Sequence, residues 1–517
     1  MQKTQSAVVR SAPAPFTFLS KMAQFDSRLL IAPLMIAVLG VAVPSLSAQA
    51  SAAVAKIEPH LASSIAFGGS GEALIVLREQ ADLSGAANLP TKLEKGQYVY
   101  TALRAVAERT QAPIRKMLQD RGIPFQSYFS VNMIKVNASR DVLYELAGRG
   151  DVVRIDANPR VKAPIPTANT TLSMTSSLTS TALTGNGIAW NVVQVNAPQV
   201  WSMGFNGKGI VVAGADTGVM WNHISLKSHY RGWNGAAVDH NYNWHDATSA
   251  HSPTPVDPQW HGTFTMSEMV GDDGLGNQVG VAPGAKWIAC RNMDQNGVGS
   301  PAEYIECFDF LLAPYPVGQP LLANPAMAPD VINNSWACPP SEGCSVNTLL
   351  TIVDTVRAAG IFPVMAAGNS GPYCSTVNLP PAIYGSAVSV GATDSYNNIA
   401  YFSSRGPVTA DGSGRLKPEL VAPGQYIRGA IAYNTTEYQS YWSGTSMAAP
   451  EVAGGVALLL QAKPQLNGNI SLTESYLTQN ATHLTSTQSC GSYPGTAVPN
   501  AVFGYGLLNI LKSVQAP

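Results

Sequence analysis

The chain has 517 residues, of which 45% are hydrophobic and only 12% charged, with a formal net charge of -1. That length exceeds what one hydrophobic core organises, so about two or three structured units are expected. The near-neutral balance offers no electrostatic footprint for nucleic acid or for an anionic membrane surface, and both are set aside as partners.

The N-terminal stretch reads as an export signal. Lys21 and Arg28 precede the apolar run LLIAPLMIAVLGVAV at 29–43, and the small-residue stretch PSLSAQA follows it. Residues 1–50 are therefore expected to be removed by cleavage after Ala50, leaving a secreted (extracellular or periplasmic) protein. The alternative is a retained N-terminal anchor, but the run falls short of the roughly 20 apolar residues that a membrane span needs.

Residues 51–160 carry the pattern of a small α+β unit. ALIVLRE (73–79), SYFSVNMIKVNAS (127–139) and VVRID (152–156) read as strands. A helix is expected over 98–122, with Leu103, Val106, Ile114, Met117 and Leu118 on one side and a break or kink at Pro113; a shorter one spans 140–150. The composition then shifts over 161–188 to Ser, Thr, Pro and Ala with almost no charge, the mark of a linker open to proteolysis.

From 189 to 517 one large domain is expected. Strands at 209–218, 286–293, 330–336, 361–369 and 387–393 alternate with helical patterns at 261–270, 300–312, 346–359 and 446–462. Continuous apolar strands between helices imply an α/β fold with a parallel sheet covered on both faces. The histidine-bearing segment 222–263 reads as a surface insertion; it has no HExxH helix, and no confident metal site is assigned to it. GDDGLGN at 271–277 has oxygen donors for calcium but not the regular acidic alternation of a dedicated loop. Six cysteines, all beyond residue 280, suit an exported chain with disulfides. Of the 15 possible pairings, Cys338 with Cys344, Cys290 with Cys307 and Cys374 with Cys490 are expected; free buried thiols are the alternative.

Three short blocks carry the chemistry. VVAGADTGV brings Asp216 to a strand end, where parallel sheets gather active groups, and WHGTFTM sets His261 at a helix start. In GTSMAAP, Ser446 opens an apolar helix at its positive end. Singly, each has a plain structural reading as a turn former, a structural histidine or a helix cap. Together they supply nucleophile, base and orienting acceptor, which a serine hydroxyl needs to attack an acyl carbon. Asn369 in VMAAGNSGP, at another strand end, offers an amide donor to the oxyanion that develops.

With these blocks in chain order Asp, His, Ser, the segment from about 190 to 517 resembles the subtilisin-like serine endopeptidases. DVINNSW, GVAPGAKWIA and LKPELVAPG bring it close to the bacillopeptidase F-like branch. The resemblance implies a subtilisin-like sheet domain preceded by a ferredoxin-like inhibitory propeptide at 51–160, with maturation cleavage in the linker. It implies a self-processing zymogen whose mature form acts as a monomer on proteins or peptides, with no stable membrane anchor. No cofactor is required for the chemistry, although relatives hold structural calcium. Ser335, Trp336 and Ala337 would form one wall of the primary specificity pocket and Ala366, Ala367 and Gly368 the other, with plain core packing as the alternative for Trp336. The chain departs from the family pattern at Phe264, Ala337 and Glu451, which bears on pocket shape and not on the reaction. A non-catalytic binding protein on the same scaffold and an exported esterase are the competing classes; the latter would carry GxSxG after a strand.

Overall fold

The computed structural model describes residues 53–162 and 187–517, so the expected signal peptide and most of the linker lie outside the described residues. The N-terminal unit contains α1 (Pro59–Ser64), β1 (Ser70–Leu77), α2 (Lys92–Asp120), β2 (Phe125–Tyr128), β3 (Met133–Ser139), α3 (Arg140–Gly148) and β4 (Val152–Ala157). Its antiparallel sheet has the order β2-β3-β1-β4, the ferredoxin-like arrangement. Helix α2 starts at a capping box: Glu94 N–H donates to Thr91 Oγ1 at 3.2 Å, and the Glu94 carboxylate accepts from Thr91 N–H at 3.1 Å. It runs through Pro113 instead of breaking there. Val99, Leu103, Ala107, Gln111, Ile114 and Leu118 form one continuous buried stripe, and that burial outweighs the roughly 3 kcal/mol an internal proline costs.

The single strand expected over 127–139 is two strands joined by a turn. Buried Asn132 holds that turn, donating to Glu79 O at 2.6 Å and to Thr110 Oγ1 at 2.9 Å and accepting from Gln111 Nε2 at 3.0 Å. All three partners are distant in sequence, so no local pattern announces the turn.

A two-residue strand β5 (Val161–Lys162) precedes the undescribed linker. The larger domain then runs α4 (Trp190–Gln194), α5 (Ala197–Ser202), β6 (Val211–Asp216), β7 (Trp244–Asp246), α6 (His261–Val270), β8 (Lys286–Arg291), β9 (Val298–Gly299), α7 (Pro301–Leu312), β10 (Val331–Asn334), α8 (Leu350–Ala358), β11 (Phe362–Ala366), β12 (Val388–Thr393) and β13 (Leu420–Pro423). It ends with the hairpin strands β14 (Ile427–Ala430) and β15 (Tyr438–Trp442) and with α9 (Thr445–Ala462), α10 (Ile470–Gln479) and α11 (Ile510–Gln515). Seven strands form one parallel sheet, β13-β12-β11-β10-β6-β8-β7. Alternation along the strands feeds two cores. Val212, Val331 and Val364 face the side of α6 and α9, while Ala213, Ile332 and Met365 face the side of α7 and α8.

Two sheet strands, β7 and β13, are beyond the expected set. Strand β7 lies within the segment read as a surface insertion, so 222–263 is in part sheet edge: Trp244 is buried, and Asp246 pairs with Arg291 of β8 at 3.2 Å. At three residues it is too short to show periodicity. The cysteines pair 290 with 307, 338 with 344 and 374 with 490. Among the described residues no helix is long and apolar enough to cross a membrane.

Helices α6 and α9 are packed closely in the core. A Cβ at Gly454 of α9 would meet Val281 Cβ at 2.7 Å and the Met269 carbonyl of α6 at 3.1 Å, so only glycine fits there. Each helix also carries a fully buried acid. Among the described residues both Glu268 oxygens and Glu451 Oε2 lack hydrogen-bond partners, while Glu451 Oε1 accepts from Asn191. Burial, then the charge of Glu451, pushes Glu268 far up; burial pushes Glu451 up to about 8, against the opposing pull of Asn191. At about 8, Glu451 is mostly protonated at neutral pH.

Because the folded-state value of Glu451 lies above its ordinary 4.5, the stability linked to this group is complete at acid pH and is lost as the pH rises toward about 8. Glu451→Gln keeps the acceptor for Asn191 and removes the titration. Measured in a Ser446→Ala background, its melting temperature should exceed the parent's by about 5 °C at pH 8.5 and by much less at pH 5.

Candidate active site

Strand β6 ends at Asp216, and α6 begins at His261. Asp216 Oδ1 accepts from His261 Nδ1 at 2.7 Å, with both side chains buried. The same carboxylate oxygen accepts from Thr217 N–H at 2.7 Å, which fixes its orientation. The contact demands an extreme approach of two backbones. A Cβ at Gly262 would lie 2.1 Å from the Gly218 carbonyl, and Gly218 itself has φ 116°, with no room for a Cβ beside the Val256 carbonyl. The residue before the histidine, Trp260, is also held at positive φ (80°).

Asp257 ties these pieces together, and the sequence reading missed it. It is buried and accepts from Thr217 Oγ1 (2.8 Å), Gln259 N–H (3.2 Å), Trp260 N–H (2.8 Å), Thr263 N–H (2.7 Å) and Thr263 Oγ1 (2.7 Å). One carboxylate thus joins the turn after Asp216 to the first turn of the histidine's helix. Burial pushes it upward from the usual carboxylate range, and its hydrogen bonds oppose that shift. In DPQWHGT an aspartate close before a helix start is a capping signal; its link to Thr217 exists only in the fold.

Ser446 is the second residue of α9, where backbone N–H groups have no intrahelical partner. Pro450 lies inside the helix, four residues beyond Ser446, so the Ser446 carbonyl loses its helical donor. The Ser335 hydroxyl takes that place, donating to Ser446 O at 3.0 Å, while Ser446 Oγ donates to Ser335 O at 3.2 Å. The serine hydroxyl is therefore turned toward a backbone carbonyl, and His261 Nε2 is buried with no partner among the described residues. The two helices meet at one apolar cluster holding Phe264, Met447 and Trp442. Phe264 stacks on Trp442 at 4.5 Å, and Trp442 sits 6.3 Å from the imidazole, so the departure at 264 has a packing role.

Asn369 follows β11. Its Oδ1 accepts from Thr445 N–H at 2.8 Å and Thr445 Oγ1 at 2.9 Å. Thr445 Oγ1 accepts in turn from Gly368 N–H at 3.1 Å. With the oxygen end engaged twice, the amide's orientation is set and its N–H₂ is directed away from Thr445. Of the expected pocket residues, Ser335, Ala337, Ala366 and Ala367 are buried, and Gly368 adopts φ 104°. The Trp336 indole lies in the core, stacked on Tyr304 at 4.0 Å and donating to Ala215 O at 2.8 Å. Only its backbone is left to line a pocket. Ala215 adjoins Asp216, so Ser446, Ser335, Trp336 and Asp216 form one connected structure.

The other histidines of the 222–263 segment are held separately. His223 contacts Ser225 Oγ and Glu437 O, His229 contacts Asp272 O, His240 the Tyr230 hydroxyl, His245 Glu306, and His251 Asp246 O. Among the described residues no three His, Cys, Asp or Glu cluster as a metal site. In the 271–277 loop the Asp273 carboxylate accepts from Leu275 N–H, Asn277 N–H, the Asn277 amide and the Tyr438 hydroxyl.

A parallel sheet with a buried Asp–His pair and a serine at the head of a central helix defines a class, and residues 207–506 match the subtilase family model. The chain belongs to the subtilase family of serine-type endopeptidases, which need no cofactor for catalysis. It is 36% identical over 442 residues to bacillopeptidase F of Bacillus subtilis (strain 168), an alignment covering 82% of this chain and 29% of that protein. It is 29% identical over 296 residues to subtilisin E of the same strain, covering 56% of this chain and 67% of that one. With subtilisin DY of Bacillus licheniformis it shares 28% identity over 329 residues, covering 63% of this chain and 99% of that one. The chain thus spans under a third of bacillopeptidase F.

Asp257→Asn should lower kcat by about tenfold or more and the melting temperature by several degrees, since one oxygen of this junction becomes a donor facing donors. Asp257→Glu should restore neither. Peptide hydrolysis and thermal unfolding of the purified variants check this.

Proposed function

We propose that this chain is a serine endopeptidase made as a self-processing, secreted zymogen. His261, held by Asp216, takes the Ser446 proton at Nε2 once the hydroxyl turns from the Ser335 carbonyl. The serine oxygen attacks a peptide carbonyl, and Asn369 Nδ2 with the Ser446 N–H stabilises the tetrahedral oxyanion. His261 then protonates the leaving amine, and water releases the acyl enzyme by the same route. The 2.7 Å Asp216–His261 hydrogen bond carries this reading, because it presents the imidazole with Nε2 unengaged. Ser335, Ala337, the Trp336 backbone, Ala366, Ala367 and Gly368 line the primary pocket in this reading, and the substrate adds as an extended strand.

Residues 1–50 are the signal, 51–160 the inhibitory propeptide, 161–188 the linker that is cut and 189–517 the mature protease, acting as a monomer. The inhibitory reading is supported by the contacts of the N-terminal unit with α7 and with the residue preceding β10. Asp309 accepts from Phe129 and Ser130 N–H at 3.3 and 3.2 Å, Glu306 from Gln126 at 2.6 Å, and Lys92 pairs with Asp330 at 2.7 Å. Strand β5, the first two residues of the linker that follows that unit, lies on β9 as a peptide would.

Expression of wild type beside Ser446→Ala, with mass spectrometry of the exported product, tests both parts. Wild type should appear without the N-terminal unit and react with a fluorophosphonate; Ser446→Ala should keep the unit and stay unlabelled. Identical processing of both in a protease-free host would defeat self-cleavage, and a wild type inert to the probe would favour a binding protein instead.

Asn369→Ala should cut kcat by about 10²–10³ with little change in KM, the signature of a donor engaged only in the transition state. A KM-dominated effect would assign Asn369 to ground-state binding.

A further inference from the structure

The segment Arg160–Lys162 lies directly against the larger domain. Val161 and Lys162 pair antiparallel with Gly299 and Val298 of β9. On the opposite edge, Lys162 N–H donates to Glu342 at 2.6 Å. The strand is thus inserted between β9 and the Cys338–Cys344 loop. Val161 is completely buried, in the same core cluster as Tyr304, Ile305 and Trp336. Arg160, one residue earlier, meets two acids of the larger domain. Its Nη1 donates to both Glu303 oxygens at 2.9 and 3.1 Å, and its Nη2 to Asp294 Oδ2 at 3.2 Å.

Both acids are preset. Asp294 Oδ1 is engaged by Asn296 N–H at 2.8 Å and Val298 N–H at 3.1 Å, shaping the turn into β9 and leaving Oδ2 to the guanidinium. Glu303 sits in the first turn of α7 with its side chain only 10% exposed, and burial works against its charge while Arg160 supports it. Remove the guest strand and a nearly buried carboxylate loses its cation. A planar, two-armed cation flanked by backbone pairing is what this arrangement recognises.

We infer that Asp294 and Glu303 form an outer substrate subsite selective for arginine, read when an extended peptide lies along β9 with a β-branched aliphatic residue immediately after that arginine. The N-terminal unit's Arg160–Val161 pair is the resident occupant of that subsite. The inference rests on the protease reading and adds a recognition site on the acyl side, away from the Ser446 hydroxyl.

The test uses the mature, self-processed enzyme and internally quenched ten-residue peptides. In each peptide an Arg-Val pair is moved stepwise along the acyl side of one fixed cleavable core, and each is compared with its Ala-Val counterpart. At one register, arginine should raise kcat/KM by about five- to tenfold, chiefly through KM, and glutamate there should lower it below the alanine value. The Asp294→Asn/Glu303→Gln double variant should cleave the Ala-Val series like wild type and lose the arginine preference. If the double variant does not accumulate, Asp294→Asn alone should show a smaller preference at that same register. Equal rates for arginine and alanine at every register, or a preference that survives in the variants, would overturn the subsite while leaving the protease reading intact. Failure of wild type to cleave any peptide would overturn both.

Discussion

The 2.7 Å hydrogen bond between Asp216 and His261 sets the terms for the surrounding structure. Its partners come from the end of a central strand and the start of a helix, so the bond requires β6 and α6 to meet with their backbones in contact. Gly218 and Gly262 permit that contact because a Cβ on either would collide with a carbonyl. Asp257 maintains it by accepting hydrogen bonds from both sides of the junction. One oxygen of an oriented carboxylate faces the Nδ1 donor, and an imidazole held at Nδ1 has one defined nitrogen left for chemistry.

The nucleophile is supported by a different device. Helix α9 is buried from Thr445 to Leu460, and its many small residues let it pass through the core close to α6. Pro450 opens the Ser446 carbonyl, and Ser335 closes it again, so the segment expected to line the specificity pocket is bonded directly to the serine that would cut. Where the chain departs from its relatives, the replacements also serve packing. Phe264 completes a stack with Trp442, and Glu451 pairs with Asn191 in a site that keeps it protonated. The Asp216–His261 contact is formed alongside both of them.

The N-terminal unit shares its apolar interior with the sheet domain. Leu74, Val76, Val99 and Leu103 lie in the same cluster as Ile305 and Phe308 of α7 and Ile352 and Val353 of α8. Its removal would expose apolar surface on both helices, so the contact is held by burial as well as by the acidic face of α7. Because Glu303, Glu306 and Asp309 recur along that helix, one face meets an arginine, an amide and two backbone N–H groups of the guest.

The sequence alone determined the parallel sheet, the five principal strands and the order of the three reactive blocks. Buried strands, glycine punctuation and a small-residue helix impose local patterns that survive without coordinates. The cysteine pairing was only an expectation: two closures are short, at separations of 17 and 6 residues, but Cys374–Cys490 spans 116, and tertiary structure alone brings those two together. What tertiary structure alone decided is where long-range contact overrules local preference. The continuous α2 through Pro113, the Asn132 turn, the edge strand β7, the burial of the Trp336 indole and the Asp257 junction all depend on partners far away in the chain. Hydrogen-bond satisfaction and burial are properties of assembled neighbours, and a linear string does not show which neighbours will meet.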